Sequence, residues 1–581
     1  MDKTFNNRRD FLKMSAGVAA TSLISQTVSA ASGQSTAAAH AARPNIVLIL
    51  ADDMGFSDIG CFGSEVSTPH LDDLAKRGVM LSQFYNNPRC CPSRASIMTG
   101  LYSQQAGMGM MVSDHGRYPY PGYAGILRTD TPTIAELLKP AGYNTAMVGK
   151  WHLAPESDEG KHCWPLQRGF DKFWGMISGA SPYYESPHLM SGNEALPPPP
   201  KDQYLTDLWA DHAAGFVDEL AAEKKPFFLY AAFNAPHWPI QAPEEDVQKY
   251  AERYREGWDA LRAERHKKQI DTGLLSASWA LSPRDPRVPA WEKVDNKDWE
   301  IRRMAVYAAM IDRLDQGIGR IVEAVNKAGI ADNTLIIFLS DNGGNAEELN
   351  RGSDKTPQDM HEGPFHMGPK TTHIACEIGM TCAGNVPGVM PGSEDTFQSI
   401  GIPWGNCANT PFRLYKHYAH EGGIGTPFIA CWPNGIKPAH APCSAIGHET
   451  DLMPTFLELA GISYSAHYKL AGESLTPIFS GRQRTRSPIY WEHEGNKAVR
   501  DGKWKLVSRF PDAWELFDMD ADRTELHDLA HAYPERVKVM AAMWKDWAKR
   551  IGVEPWPMPE TPPKASTGEM EVPPYLKPFN R

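Results

Sequence analysis

The chain has little that would mark a membrane protein, a nucleic-acid binder or a disulfide scaffold. Beyond Ala30 no segment approaches the roughly 20 consecutive apolar residues that a membrane-spanning helix needs. Positive charge is in deficit: 59 Lys and Arg against 70 Asp and Glu leave a formal net charge of -11. That removes the broad basic face a nucleic acid would require. It leaves open a small anionic substrate, because a local cluster of cations overrides the global sign. The nine cysteines lack the short repeated spacings of a zinc site, and an odd count does not make a disulfide framework. A bridge among Cys376, Cys382 and Cys407 stays open. There is no internal repeat. What is present suits a globular protein: 42% hydrophobic and 22% charged residues in 581, enough for one large α/β domain and an accessory piece.

The N-terminus carries Arg8-Arg9-Asp10-Phe11-Leu12-Lys13, a mildly apolar stretch from Met14 to Val28, and a small-residue site, Val28-Ser29-Ala30. This order reads as a twin-arginine signal peptide over 1–32. It implies a bacterial protein exported folded through the twin-arginine translocon to the periplasm or beyond, without a stable membrane anchor. Side-chain modification in the cytoplasm would then precede export.

Five short apolar runs read as buried parallel strands: Asn45–Leu50, Thr145–Val148, Phe227–Phe233, Thr334–Leu339 and Pro427–Cys431. Helical patterns lie between them, among them Thr133–Lys139 before Gly142 and Met304–Ala328 before Gly329. Lys249–Lys268 reads as a charged helix with one solvated face. The alternation predicts a doubly wound, mostly parallel sheet flanked by helices. Residues 343–411 form a long connection with few helix or strand signals, of the kind that is usually functional. After Gly461 the pattern changes to Ser487–Trp491, Ala498–Arg500, Trp504–Val507 and Trp514–Phe517, a small antiparallel sheet, then a helix over Pro534–Arg550 and a proline-rich tail. The expected division is a catalytic domain at 43–465 and a C-terminal α+β subdomain at 466–581.

Chemistry clusters where the strands end. Asp52-Asp53 follows the first, Lys150-Trp151-His152 the second, Pro236-His237 the third and Asp341-Asn342 the fourth. Ligands of open α/β sheets bind beyond the carboxyl ends of the strands. Each motif alone is weak, since an Asp pair usually caps a helix and Asp-Asn-Gly-Gly is usually a turn. Together they place three carboxylates and an amide at one edge, a hard oxygen set that suits Ca²⁺ or Mg²⁺. Cys90-Cys91-Pro92-Ser93-Arg94 runs to Gly100, so Cys90 precedes a helix N-terminus, where negative charge is favoured.

These segments resemble the type I sulfatase family, bacterial arylsulfatases in particular, within the alkaline phosphatase-like superfamily. Cys90-x-Pro92-x-Arg94 matches the family's modification signature. The likeness continues through Asp52–Asp58, Val148–His152, Ala235–His237, Ser340–Gly343 and Tyr415–Gly423, nearly the whole mature chain. It implies that a formylglycine-generating enzyme oxidises Cys90 to formylglycine, and that Asp52, Asp53, Asp341, Asn342 and modified Cys90 hold one Ca²⁺. It implies further that Arg94 and Lys150 orient the aldehyde hydrate, His152 contacts its second hydroxyl, and His237 and Lys416 bind sulfate. The implied reaction is hydrolysis of a small-molecule or carbohydrate sulfate monoester, an aryl sulfate being the first expectation, through a covalent sulfo-enzyme. Two other readings stand beside it: a phosphonate monoester or phosphodiester hydrolase on the same site, and, were Cys90 unmodified, a non-catalytic binder of sulfated ligands. Cys91 is assigned no role and His420 a structural one; Trp404 and Phe397 could stack on an aryl or sugar ring, but packing within their loop is the expectation for each.

Overall fold

The computed structural model describes residues 43–113, 119–349, 384–385, 387–394, 396–439 and 441–558. The leader, much of the 343–411 connection with Cys376 and Cys382, and the end of the proline-rich tail lie outside the described residues.

Fifteen strands appear among these residues. They are β1 (Asn45–Ala51), β2 (Val79–Tyr85), β3 (Asn144–Lys150), β4 (Lys172–Met176), β5 (Met190–Ser191), β6 (Glu194–Ala195), β7 (Phe227–Ala232) and β8 (Thr334–Ser340), then β9 (Gly425–Thr426), β10 (Phe428–Cys431) and β11 (Cys443–His448). A second group comprises β12 (Ile489–His493), β13 (Asn496–Asp501), β14 (Trp504–Ser508) and β15 (Glu515–Asp518). The large sheet runs β11-β2-β10-β8-β1-β7-β3-β4-β5-β6, with β9 on β2. Its centre, β8-β1-β7-β3-β4, is parallel.

Burial on both faces explains why β1 shows no polar alternation. Val47, Ile49 and Ala51 join one core with Trp209 and Val217 of helix Leu205–Ala222 and Ile311 of helix Lys297–Lys327. Ile46, Leu48 and Leu50 join another with Ala95, Met98 and Phe456. Burying each of these large side chains contributes about 1.5–3 kcal/mol.

The Phe428–Cys431 strand was expected to be parallel but runs antiparallel to both neighbours. The preceding segment carries Lys416 to the carboxyl edge of the sheet, where it meets Asp53 after β1. The chain therefore enters β10 from that edge and runs backwards. The charged helix begins later than its charges suggest, at Gly257–Asp271, and it is not purely solvated: buried Arg265 pairs with Asp58 and Glu65, each at 2.8 Å. Helix Gly401–Ala408 lies inside the long connection, where Cys407 is a buried free thiol and Trp404 packs in the core against Trp258 and Trp291.

The small sheet is antiparallel, β12-β13-β14-β15. Its alternate residues face opposite ways. Trp491, Ala498, Val507 and Phe517 meet Tyr85 and Ile424 of the large domain, whereas Val499, Leu506 and Leu516 meet Met540 of helix Pro534–Ile551. Lys505 crosses the junction, fully buried, to Glu421 at 2.8 Å and Glu525 at 2.7 Å. Among the described residues no helix is long and apolar enough to cross a membrane.

Candidate active site

Register decides where the motifs land. Ala51 pairs with Ser340, Leu50 with Ala232, and Gly149 with Ala232. Strands β8, β1, β7 and β3 therefore end level, and the residues following them share one edge. Asp53 and His152 leave their strands with φ of 62° and 55°. Non-glycine residues rarely adopt this left-handed backbone, and such strain gathers at functional sites.

Helix Cys90–Thr99 starts at Cys90 itself, with Pro92 in its first turn as expected, and ends at Gly100 with φ of 67°. Arg94 sits one turn along from Cys90, on the same side. Its guanidinium donates to Asp341 Oδ2 through Nε at 3.0 Å and to the Lys150 carbonyl through Nη1 at 2.9 Å. Lys150 Nζ reaches Asp52 Oδ2 at 2.5 Å and Lys416 Nζ reaches Asp53 Oδ2 at 2.8 Å. His237 Nε2 lies 3.5 Å from Asp53 Oδ2. Its Nδ1–H donates to the Trp238 carbonyl at 2.7 Å, which fixes the tautomer. Ligand atoms of Cys90, Cys91 and His152 lie within 4.8 Å of one another. All the predicted site residues thus converge. His420 lies apart, bonded to Glu515 of the small sheet at 3.0 Å.

The four predicted metal ligands are not equally engaged. Both oxygens of Asp341 are occupied, one by Arg94 and the other by the Asp53 N–H at 3.2 Å. Asp53 accepts from Asn342 Nδ2 at 2.7 Å as well as from Lys416. Asp52 Oδ1 and Asn342 Oδ1, in contrast, are buried with no partner. Two orphaned oxygens at one carboxylate-rich edge are what a hard cation would satisfy.

Burial dominates the electrostatics. It raises Asp52, with Lys150 and Arg94 opposing, and raises Asp341 far above the usual carboxylate range. At Asp53 burial also pushes up, but Lys416 and His237 outweigh it and hold the carboxyl low. Burial brings His152 and His237 each down to about 4, so both rings are neutral at pH 7. A hydrogen bond from Cys91, then Lys150, Lys416 and His152, hold the Cys90 thiol far below its ordinary value against the opposing effect of burial.

The family model for sulfatases matches residues 44–462. The chain belongs to the sulfatase family. A second model, for the C-terminal part of N-sulphoglucosamine sulphohydrolase, matches 412–551. An uncharacterized sulfatase of Schizosaccharomyces pombe is 31% identical over 89% of this chain and 95% of its own length. The arylsulfatase of Klebsiella aerogenes is 30% identical over 77% of this chain and 95% of its own. Among solved structures, that of Ps i-CgsB has a TM-score of 0.63 at 27% identity, covering 87% of this chain and 93% of that one. This sulfatase is accordingly a sulfuric ester hydrolase of the alkaline phosphatase-like superfamily, and its fold is the α/β architecture expected above.

Sequence reasoning passed over several groups that shape its site. Asn345 donates to Asp53 Oδ2 at 2.7 Å; its only signal was following the Asp-Asn-Gly-Gly turn. Glu347 receives Arg89 at 3.2 Å and the indole N–H of Trp238 at 2.5 Å. Arg89 immediately precedes Cys90, and Trp238 immediately follows His237. Phe397, which the sequence did single out but as a loop-packing residue, packs on Trp238 with ring centroids 5.7 Å apart and lines the cavity above Cys90, about 470 Å³ in volume.

Proposed function

We propose that this sulfatase works through formylglycine at position 90 and one Ca²⁺, and that it acts on an aryl or similar sulfate monoester. The observation that carries the reading is the placement of Cys90, at a helix N-terminus within reach of His152 and facing a buried carboxylate edge whose free oxygens belong to Asp52 and Asn342. Oxygen donors alone suit Ca²⁺. Asp52, Asp53, Asp341 and Asn342 would hold it, with an oxygen of modified residue 90, and it would supply charge for sulfate oxygens. Oxidised and hydrated, residue 90 supplies two hydroxyls on one carbon, one to attack sulfur and one to expel sulfate afterwards.

The chain's own residues account for the rest. Arg94 and Lys150 hold the carboxylates beneath residue 90 and orient its hydroxyls. His152 is neutral, and its Nδ1 has no partner, so it takes the proton of the second hydroxyl. Lys416 and His237 face the sulfate from the opposite wall and stabilise charge on its oxygens and on the departing alcohol. The family match ending at 462 supports a catalytic domain at 43–465, with 466–581 as the subdomain behind it. The Arg8-Arg9 leader supports twin-arginine export to the periplasm after cytoplasmic modification by a formylglycine-generating enzyme.

Mass spectrometry of the peptide spanning residue 90, from protein made with that modifying enzyme, tests the reading. Conversion of thiol to aldehyde in step with aryl sulfatase activity is expected. Full activity with the thiol intact overturns it.

A further inference from the structure

The cavity above residue 90 has walls of unlike character. Trp238, Phe397, Met111 and Val112 present apolar surface on one side. Trp238 is held there by two contacts: its indole donates to Glu347 Oε2 at 2.5 Å, and its ring lies tilted against His237 with centroids 4.4 Å apart. A fixed aromatic plane beside the sulfate position is a seat for an apolar or aromatic alcohol.

Charge directly beside this aromatic plane is the second observation. Glu347 lies buried in the lining, and burial pushes its carboxyl up. Lys416, the His417 hydrogen bond and Arg89 together hold its carboxyl far below the usual range. His417 joins two carboxylates, Glu347 at 3.1 Å and Glu494 at 2.9 Å. Arg89, the cation in this wall, therefore has two carboxylates about it already. At the mouth, Glu156 pairs with His188 at 3.3 Å. Among the described residues, a second anionic group on the substrate would meet no unshared cation on this wall. At about 6 Å and an effective dielectric near 20, repulsion by one carboxylate is worth about a 100-fold preference, and sharing with Arg89 lowers it to about tenfold.

We propose that the wall of Trp238 and Phe397, with the carboxylate of Glu347 bonded beside it, makes this sulfatase selective for singly charged esters of apolar alcohols over sugars that carry a second sulfate. This rests on the reading of residue 90 given above.

The test compares kcat/KM of the full-length, aldehyde-bearing enzyme on 4-methylumbelliferyl sulfate, N-acetylglucosamine 6-O-sulfate and glucosamine 2-N,6-O-disulfate. The aryl ester should lead, and the disulfate should trail the monosulfate by about tenfold or more. In Glu347→Gln the ratio of monosulfate to disulfate should shrink towards one. In Phe397→Ala, KM for the aryl ester should rise while the sugar esters change little. A disulfate used as well as the monosulfate by the wild type, or a ratio unmoved in Glu347→Gln, overturns the proposal. Failure on the aryl ester with the aldehyde present by mass spectrometry overturns this inference alone. Aryl turnover with the residue 90 thiol intact overturns the catalytic reading instead.

Discussion

Lys416→Met separates the two duties that the structure gives one ammonium group. Lys416 is buried, 2.8 Å from Asp53 Oδ2. Around it Asp52, Asp53 and Asp341 face Arg94, Lys150 and Lys416. Arg94, Lys150 and Lys416 are the cations of this edge, since burial keeps His152 and His237 neutral. Removing Lys416 makes the site more negative by one unit before substrate or metal arrives. A unit charge about 4 Å from a sulfate oxygen is worth about 4 kcal/mol at an effective dielectric near 20. The sulfate spreads its charge and keeps its other partners, so about 2–3 kcal/mol should be lost, about a 30- to 150-fold fall in kcat/KM. Stability should drop by less than the roughly 3–5 kcal/mol of a stranded buried charge, since Asn342 and Asn345 still donate to Asp53 at 2.7 Å each. Calcium affinity should move the other way, because the competitor for the Asp53 carboxylate is gone. Steady-state kinetics on an aryl sulfate, with calorimetric titration of Ca²⁺ into chelator-treated protein, measure both. A kcat/KM within about threefold of the wild type, or weaker calcium binding, refutes the reasoning.

Cys90→Ser offers one hydroxyl where the hydrate offers two, so it should release one equivalent of alcohol in a burst and then stall; sustained turnover at the wild-type rate contradicts that. Lys505→Met strands the fully buried Glu525, while Glu421 keeps Arg523 at 2.9 Å, and should cost about 3 kcal/mol in denaturant unfolding; a loss under about 1 kcal/mol would show the junction to be solvated. In acid the buried histidine His493 matters. Burial pulls its folded-state value from 6.5 down to about 4, so the unfolded chain binds the proton first and stability is lost as pH falls from 6.5 to 4. The loss amounts to at most about 3 kcal/mol. Its neighbour Glu492, raised by burial to about 7, works oppositely between 4.5 and 7. His493→Gln should therefore flatten the acid limb of the stability curve by about one proton, and an unchanged slope rules the effect out.

Strands buried on both faces announced themselves in the sequence, because burial of Ile46 through Ala51 leaves no room for polar alternation. β2 did not, since Ser82 and Gln83 interrupt it; the structure hides Gln83 by bonding it to Arg500 of the small sheet at 2.6 Å. That polar pair makes sense only once two distant segments are docked. The direction of β10 was hidden for a similar reason. Its composition matches a parallel strand, and only the position of Lys416 at the carboxyl edge forces the chain to run the other way.

The same distinction divides the site. Groups that act at the strand ends, from Asp52 to Asn342, were legible because topology alone collects them: parallel strands in level register bring their successors together whatever the loops do. The groups that would choose the substrate were not. Arg89, Trp238, Glu347 and Phe397 belong to four separate segments, and none carries a motif. Their meaning is relational, since Glu347 is a repelling carboxylate only because Lys416, His417 and Arg89 keep it charged in a buried wall. Reaction class follows from topology, which the hydrophobic pattern encodes, whereas substrate choice follows from pairings between loops, which it does not. Exchanging wall residues such as Glu347 and Phe397 should therefore redirect specificity by one or two orders of magnitude, while exchanging strand-end residues should abolish turnover of every ester alike.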